Sequence, residues 1–263
     1  MLSDSLVQLA AATLVNRRVH GDQGEVFADI GRPRNTEQAL AIQQQVSQRW
    51  CERLNDSIGG WKCLLPTPEK TVIAPIYTST INTVPPVSLW PKGDVARIEP
   101  ELAFYFGQDL PVREQPYSEA EIDAAISRTH MALELIHSRY SQPAQCTHFD
   151  SLADGLVNQG LFVGPQVDAQ QAAAASQIDI NVTYAGQELH FAGKHPNAQP
   201  KAGLYWLVEF LRSRGTGIEA GQVVITGSYA GVIEVPLNTD IQISYAGLGQ
   251  MQAHFTRKYP PMF

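Results

Sequence analysis

The chain has 263 residues, of which 44% are hydrophobic and 17% charged, a composition typical of a globular protein that folds without disulfides. Its formal net charge of −7 argues against nucleic acid as the main partner, because phosphate backbones are bound by basic surfaces. No apolar run reaches the length of a membrane span, and the first residues lack the basic and apolar regions of a signal peptide. Three cysteines without metal-ligand spacing are typical of a reducing compartment, so we expect a cytoplasmic protein without a membrane partner.

Two helices are predicted at the start of the chain. The first covers residues 3–18, where Ser3 or Asp4 can cap a stretch whose apolar residues recur at helical spacing. Asn35 and Gln38 resemble a capping box that begins a second helix, which extends to residue 54. We therefore expect residues 1–57 to form the helical N-terminal section of a single domain that covers residues 1–263.

From residue 58 onwards, short apolar runs alternate with proline, glycine and threonine, which indicates β-strands. The predicted strands are residues 72–81, 84–90, 102–106, 131–136, 160–163, 178–184, 222–225 and 241–245. Two further helices are predicted at residues 118–129 and 202–214. Strands outnumber helices and do not alternate with them regularly, so the sequence predicts an α+β fold, a β-rich roll with peripheral helices.

Two glutamates flank a proline at the start of one predicted strand, in Arg97-Ile98-Glu99-Pro100-Glu101. Residues two apart in an extended chain point to the same face, so both carboxylates would enter one small volume. Like charges that close oppose each other's ionisation, and a divalent cation that prefers oxygen ligands removes the repulsion. Two solvated acids at a strand end are the alternative interpretation. Pro100 has no N–H, which favours a strand start or an edge strand.

A third acid and a lysine lie in other apolar segments. If residues 131–136 form a strand, Glu134 points away from the leucines beside it, and burying its charge requires a partner or a cation. A structural pair with Arg139 or His137 is the alternative. Lys62 lies among Trp, Cys and Leu, where desolvation would lower its pKa and suit proton transfer, although such a lysine more often extends its amine to water.

The segment Gly227-Ser228-Tyr229-Ala230-Gly231 follows the predicted strand 222–225. A serine with glycine neighbours at a strand end can offer its hydroxyl and backbone N–H groups to an anion. A plain turn is the alternative interpretation.

Together these residues resemble the 2-keto-4-pentenoate hydratase / 4-oxalocrotonate decarboxylase family of the fumarylacetoacetate hydrolase superfamily. The acid pair followed by a Glu-x-x-x-Ser-Arg segment is the most specific part of the resemblance. The matching segments are Glu37-Gln38-Ala39-Leu40-Ala41-Ile42-Gln43, Gly60-Trp61-Lys62, Arg97-Ile98-Glu99-Pro100-Glu101-Leu102-Ala103-Phe104, Glu134-Leu135-Ile136-His137-Ser138-Arg139, Ala153-Asp154, Gly160-Leu161-Phe162-Val163-Gly164, Trp206-Leu207 and Glu219-Ala220-Gly221-Gln222-Val223-Val224-Ile225-Thr226-Gly227-Ser228.

The resemblance implies a site for a 2-oxo acid substrate on a roll of the fumarylacetoacetate hydrolase type. It implies Mg²⁺ or Mn²⁺ as the cofactor and Lys62 as a proton-transfer residue. The implied metal ligands are Glu99, Glu101 and Glu134, and the candidate substrate contacts are Ser228, Arg139 and Asp154. Arg97, Arg139 and Lys201 are candidate anchors for a distal carboxylate.

The chain also departs from the family. Cys63-Leu64-Leu65-Pro66 replaces the usual Gly-Leu-Thr, residues 74–80 contain no acid, and His137 stands where an aspartate is usual. Residues 155–159 also differ from the small polar residues that usually follow the aspartate at position 154. The leading hypothesis is a metal-dependent hydratase or decarboxylase of a 2-oxo acid such as a 2-oxo-4-enoate. The alternatives are an acylpyruvate-type C–C bond hydrolase and a catalytically weak relative that assembles with another pathway enzyme. We also expect homo-oligomerisation.

Overall fold

The computed structural model describes residues 2–260, in which helices occupy the start of the chain and strands most of the remainder. The helices are α1 (Asp4–His20), α2 (Thr36–Leu54), α3 (Glu119–Ala125), α4 (His148–Ala153), α5 (Ala169–Ala174) and α6 (Ala202–Ser213). The strands are β1 (Ile58–Leu64), β2 (Val72–Tyr77), β3 (Ile81–Asn82), β4 (Val87–Leu89), β5 (Val95–Phe106), β6 (Ile126–Ile136), β7 (Asn158–Val167), β8 (Gln177–Tyr184), β9 (Gln187–Lys194), β10 (Val223–Ile225), β11 (Ile233–Pro236), β12 (Asp240–Tyr245) and β13 (Gly249–Arg257).

The two N-terminal helices form where the sequence predicts them. The Asn35 side chain accepts the N–H of Gln38 at the start of α2, and Gly21 takes the left-handed conformation (φ 72°) that ends α1. Leu14 of α1 and Ile42 of α2 are fully buried in the main core, whereas Leu9 of α1 is exposed. Among residues 2–260, no helix combines the length and apolarity that a membrane span requires.

Two sheets carry the strands. The larger has the order β2-β1-β10-β5-β6-β7-β3, with β11 also paired to β5, and the smaller has the order β4-β13-β12-β8-β9. The Tyr245 hydroxyl of β12 donates to the Ala132 carbonyl of β6 and so joins the sheets. This mixed α+β architecture confirms the predicted fold class, and it places β5 and β6 at the centre of the larger sheet.

Several boundaries differ from the predicted ones. The helix predicted at residues 118–129 begins with the predicted capping box but ends at Ala125, because residues 126–136 form one long strand paired to β5 and β7. The described strands β1, β9, β11 and β13 and the short helices α4 and α5 were not among the predicted elements. In β9 only Gly193 is fully buried, and the alternation of Leu189 and Phe191 with exposed neighbours covers too few apolar residues to mark a strand clearly.

Pro100 lies inside β5, which corrects the expectation of a strand start or an edge strand. One edge of β5 pairs with β11 at residues 95–98 and with β10 at residues 103–105. Pro100 falls in the gap between these two partners, where the ladder needs no N–H from it. Its carbonyl accepts the N–H of Tyr229, from the segment that links β10 to β11.

Candidate metal centre

Three glutamates converge on one face of the larger sheet. Glu99 of β5 lies directly opposite Glu134 of β6 in the antiparallel ladder, and Glu101 follows two residues later on the same face. One carboxylate oxygen from each residue lies within 4.8 Å of the others. The structure therefore brings together the three acids that the sequence analysis singled out.

Lys62 occupies the same face, from β1. Its Nζ donates to Glu134 Oε1 at 2.6 Å and to Oε2 at 2.7 Å. Lys62 is 9% exposed and Glu134 is 0% exposed, so the two charges attract each other in a low-dielectric environment, and losing either partner would leave a costly buried charge. Neither Arg139 nor His137 forms a hydrogen bond or ion pair with Glu134 among the described residues, so both local pairings considered from sequence are absent there.

Burial and mutual repulsion shape the ionisation of the acids. Burial, followed by the charge of Glu134, raises the pKa of Glu99 to about 7. The same two causes raise the pKa of Glu101 well above its ordinary value, although its Oε2 accepts the Gly227 N–H at 2.6 Å. Such a cluster cannot hold three full charges unless cations compensate them.

The ionisation of Lys62 differs from the expectation. Burial lowers its pKa, as predicted from the apolar neighbours in sequence, but Glu134, Glu99 and Glu101 outweigh burial and the pKa is raised. The amine is thus held as a cation by the acids that it faces. The sequence context of Lys62 shows only its apolar neighbours on β1, so the local expectation pointed the wrong way.

The donor set fits a hard divalent cation. All three side chains offer carboxylate oxygens, which Mg²⁺ and Mn²⁺ prefer. Two of the three have raised pKa values, so added positive charge would relieve a repulsion already present in the fold. We conclude that the residues present suit such an ion.

The turn before β7 and the first residue of β7 contribute groups that sequence reasoning missed. Asn158 Nδ2 donates to Glu134 Oε1 at 2.8 Å, and the Leu156 carbonyl accepts from Lys62 Nζ at 3.3 Å. Leu156 and Val157 both have positive φ, 53° and 61°, which is costly for a β-branched residue such as valine. The only sequence signal was that residues 155–159 depart from the family pattern.

Arg139 and Asp154 form a separate buried ion pair. Arg139 Nε donates to Asp154 Oδ1 at 2.7 Å, and both side chains are 1% exposed. The other guanidinium nitrogens donate to the carbonyls of His137, Asn158 and Asp154. The structure does not bring this pair to the acid cluster, and it gives the pair an architectural role in holding the Asn158 turn. Substrate binding by Arg139 and Asp154 stays a prediction. It has no support from a free donor, because every guanidinium nitrogen of Arg139 already donates to an acceptor within the protein.

Ser228 lies beside the cluster but faces its own turn. Its Oγ donates to the Gly231 carbonyl at 3.2 Å, whereas the preceding Gly227 supplies the N–H that binds Glu101. The segment therefore forms the turn that was one of the two interpretations, and one of its backbone N–H groups binds a carboxylate. A substrate contact by Ser228 stays a prediction. Lys201, a candidate anchor, forms an ion pair with Asp123 at 2.7 Å.

Comparison with known proteins agrees with the motifs. A scan of family models finds no match. The chain is 24% identical over 167 residues to a 2-keto-4-pentenoate hydratase of Dechloromonas aromatica (strain RCB), and this match covers 60% of each protein. The chain thus matches about 60% of the length of its curated relatives.

Solved structures share the fold. The 4-oxalocrotonate decarboxylase of Pseudomonas putida G7, solved with magnesium and adipate, superimposes with a TM-score of 0.78 at 21% identity over 97% of this chain and 99% of that one. A fumarylacetoacetate hydrolase family protein of Yersinia pestis CO92 gives a TM-score of 0.54 at 17% identity, over 77% of this chain and 94% of that one. The resemblance is confirmed: the chain is similar in sequence to 2-keto-4-pentenoate hydratases, and it shares its fold with the 4-oxalocrotonate decarboxylase, a fold of the fumarylacetoacetate hydrolase type.

Proposed function

We propose that the protein is a divalent-metal-dependent lyase that acts on a 2-oxo acid. The observation that carries the proposal is the convergence of Glu99, Glu101 and Glu134 beside a buried lysine. The relatives named above are a hydratase and a decarboxylase, which supports a reaction of the lyase kind. A 2-oxo-4-enoate is the substrate class that we favour.

Each residue has a proposed part. Glu99, Glu101 and Glu134 would hold Mg²⁺ or Mn²⁺, which would supply Lewis-acid stabilisation of an enolate. Asn158 and Gly227 orient two of these carboxylates through the hydrogen bonds described above. Lys62 carries a proton beside the cluster, so it is the group best placed to move a proton to or from a substrate carbon.

Hydration and decarboxylation both need the same electron sink, so two substrates test the proposal. The full chain, treated with EDTA and then supplied with Mg²⁺ or Mn²⁺, is offered 2-hydroxypenta-2,4-dienoate and 2-oxohex-3-enedioate. We expect loss of dienoate absorbance or release of CO₂, abolished by EDTA and restored by metal. An acylpyruvate is offered as a third substrate. If the protein releases pyruvate from it and shows neither of the other activities, the C–C bond hydrolase hypothesis would replace the lyase hypothesis.

One observation favours the catalytically weak alternative. Ile76 of β2, in the segment without an acid, is fully buried and packs with Ala103, Leu161 and Ile225. The wall beside Lys62 is therefore apolar where a second proton-transfer group is usual in the family. Absence of turnover on all three substrates, together with intact Mg²⁺ binding and tight association with a co-encoded enzyme, would support this alternative.

Metal binding is expected to release more protons at pH 6 than at pH 8. Glu99 has a pKa of about 7 without metal, so it is largely protonated at pH 6 and must ionise to become a ligand. Its raised pKa therefore weakens metal binding as pH falls below 7. Calorimetry of Mg²⁺ binding in buffers of different ionisation enthalpy measures the protons released. Equal release at both pH values would contradict the assignment of Glu99 as a ligand.

Arg97 is our proposed anchor for a substrate carboxylate. It shares a face of β5 with Glu99, and its side chain is 28% exposed. Its Nε makes no hydrogen bond in the described part of the chain, although it lies 3.7 Å from Glu234 Oε1. We expect Arg97→Gln to raise KM about tenfold while changing kcat little, because a charge-assisted hydrogen bond is lost. Lys92→Gln is the matched control, since Lys92 also contacts Glu234 but is 69% exposed. Equal effects of the two variants would refute the anchor.

A further inference from the structure

A small polar cavity lies on the face of the sheet opposite the acids. It has a volume of about 60 Å³ and is lined by Leu135, which neighbours Glu134 on β6 and points the other way. Three cationic side chains line it, from α1, from the segment after β6 and from the segment after β13: Arg18, Arg139 and Lys258. Trp50 and Trp90 form part of its wall.

The cationic charge of this cavity exceeds the acidic charge beside it. Arg139 is neutralised by Asp154, which also lies 3.9 Å from Arg18 Nη2. Asp56, the acid that binds Ser79 at the cavity wall, already accepts hydrogen bonds from Trp50, Ser57 and Ser79. Two positive charges therefore remain without a carboxylate of their own.

Both remaining cations have donors to spare. Arg18 is 7% exposed, and its buried Nε has no hydrogen-bond partner within residues 2–260, although its other nitrogens donate to the carbonyls of Asn158 and Asp154. Lys258 Nζ lies 5.5 Å from the centre of the Trp90 ring, and no acid pairs with it among the described residues. Arg18 is buried and Lys258 is half-buried, and the nearest acid to Arg18, Asp154, is shared with Arg139. Cations that leave water without a full counter-charge are costly, so a bound anion would offset this charge.

We propose that this cavity binds a small tetrahedral oxyanion, such as inorganic phosphate or sulfate, between Arg18 and Lys258. The volume matches this class, because about 60 Å³ holds roughly four or five water-sized atoms and such an anion has five non-hydrogen atoms. The guanidinium and ammonium groups are the donors that proteins use for such ions. Burial and the nearby Arg139 lower the pKa of Arg18 to about 10, and burial lowers the pKa of Lys258. Both shifts show that the charged forms lack sufficient compensating negative charge, which a bound anion would supply.

The test is a phosphate titration of the full-length, EDTA-treated chain at pH 7.5, with ionic strength held constant by NaCl. We expect saturable binding by calorimetry and a saturable change in tryptophan fluorescence, because Trp50 and Trp90 line the cavity. Lys258→Gln should weaken binding about tenfold or more, and Lys258→Arg should restore most of it. Lys92→Gln, which removes an exposed lysine elsewhere, should leave binding unchanged.

Sulfate also stabilises folded proteins by exclusion from their surface, and that effect rises without saturation and is shared by all variants. Sulfate is therefore titrated in parallel with phosphate. If both anions saturate the fluorescence change at the same final value, and this saturation is lost in Lys258→Gln, the site is supported. Absence of saturable binding, or equal binding by the wild-type chain and Lys258→Gln, would overturn it. Lys258 makes no side-chain hydrogen bond among the described residues, so the variant should keep the wild-type melting temperature in NaCl alone.

Discussion

A Glu101→Gln variant is expected to lose divalent-metal binding and at least about 10³-fold in turnover, while the metal-free protein becomes more stable than the wild type. Glutamine has the same shape as glutamate, and its Oε1 can still accept the Gly227 N–H that Glu101 now accepts at 2.6 Å. The variant therefore keeps the local hydrogen bond but removes one anionic oxygen from the proposed ligand set. Because electrostatic stabilisation of an enolate is a large contribution to such a reaction, the loss of turnover should be correspondingly large.

The expected gain in stability follows from the sign of the pKa shift. Burial and the charge of Glu134 raise the pKa of Glu101 well above its value in the unfolded chain. A raised pKa in an acid means that folding loses stability as pH rises above the unfolded-state pKa, towards the folded-state one. Glutamine does not titrate, so this penalty disappears at neutral pH.

Thermal melting with and without Mg²⁺ separates these effects. We expect Mg²⁺ to raise the melting temperature of the wild type and to leave Glu101→Gln unchanged, because only binding to the folded state stabilises it. Glu188→Gln, at an exposed position on β9, is the control and should behave as the wild type. A Glu101→Gln protein that keeps its Mg²⁺ shift and its turnover would show that Glu101 is not a ligand.

The acid pair was predictable from sequence because its geometry is local. Glu99 and Glu101 are two residues apart, and an extended backbone alone places them on one face. The position of Glu134 depends on the register between β5 and β6, which pairs Glu99 with Glu134 across 35 residues and is set by the whole sheet. The local pattern offered Glu134 either a structural partner or a cation, and the family resemblance favoured the role of a ligand.

The partner of Glu134 was missed for the same reason. Sequence reasoning considered Arg139 and His137, which lie within five residues, whereas the structure pairs Glu134 with Lys62, 72 residues away. This pairing requires β10 to lie between β1 and β5 in the sheet. β10 is only three residues long, and nothing in its sequence indicates its place in the strand order. Local patterns therefore identified the charged groups but not their pairing.

The helical N-terminal section was predictable because its signals are also local. The Asn35 cap and the left-handed Gly21 mark ends that need no tertiary context. The helix predicted at residues 118–129 was too long. Its true end at Ala125 has no local signal, because neither glycine nor proline separates α3 from β6. Pairing with two neighbouring strands there outweighs helix propensity.

A Lys62→Met variant is expected to lose most of its activity and, without metal, about 3–5 kcal/mol of stability, because it leaves the charge of Glu134 buried without its partner. Glu134 is 0% exposed and would keep only the hydrogen bond from Asn158 at 2.8 Å. The lysine also lowers the pKa values of Glu99 and Glu101, so its loss strengthens the repulsion within the cluster. Turnover should fall about 10²–10⁴-fold if Lys62 transfers a proton. Urea unfolding and steady-state kinetics measure the two effects.

The double variant Lys62→Met/Glu134→Gln separates structure from chemistry. Removing both charges of a buried pair is far less costly than removing one, so we expect the double variant to regain most of the lost stability but none of the activity. Lys201→Met is the matched control, because Lys201 binds Asp123 at the similar distance of 2.7 Å where the acid is 40% exposed, and its loss should cost less than about 1 kcal/mol. If Lys62→Met alone unfolds no more easily than this control, the buried pair is not what holds Glu134 in place. If it also keeps full turnover, Lys62 transfers no proton.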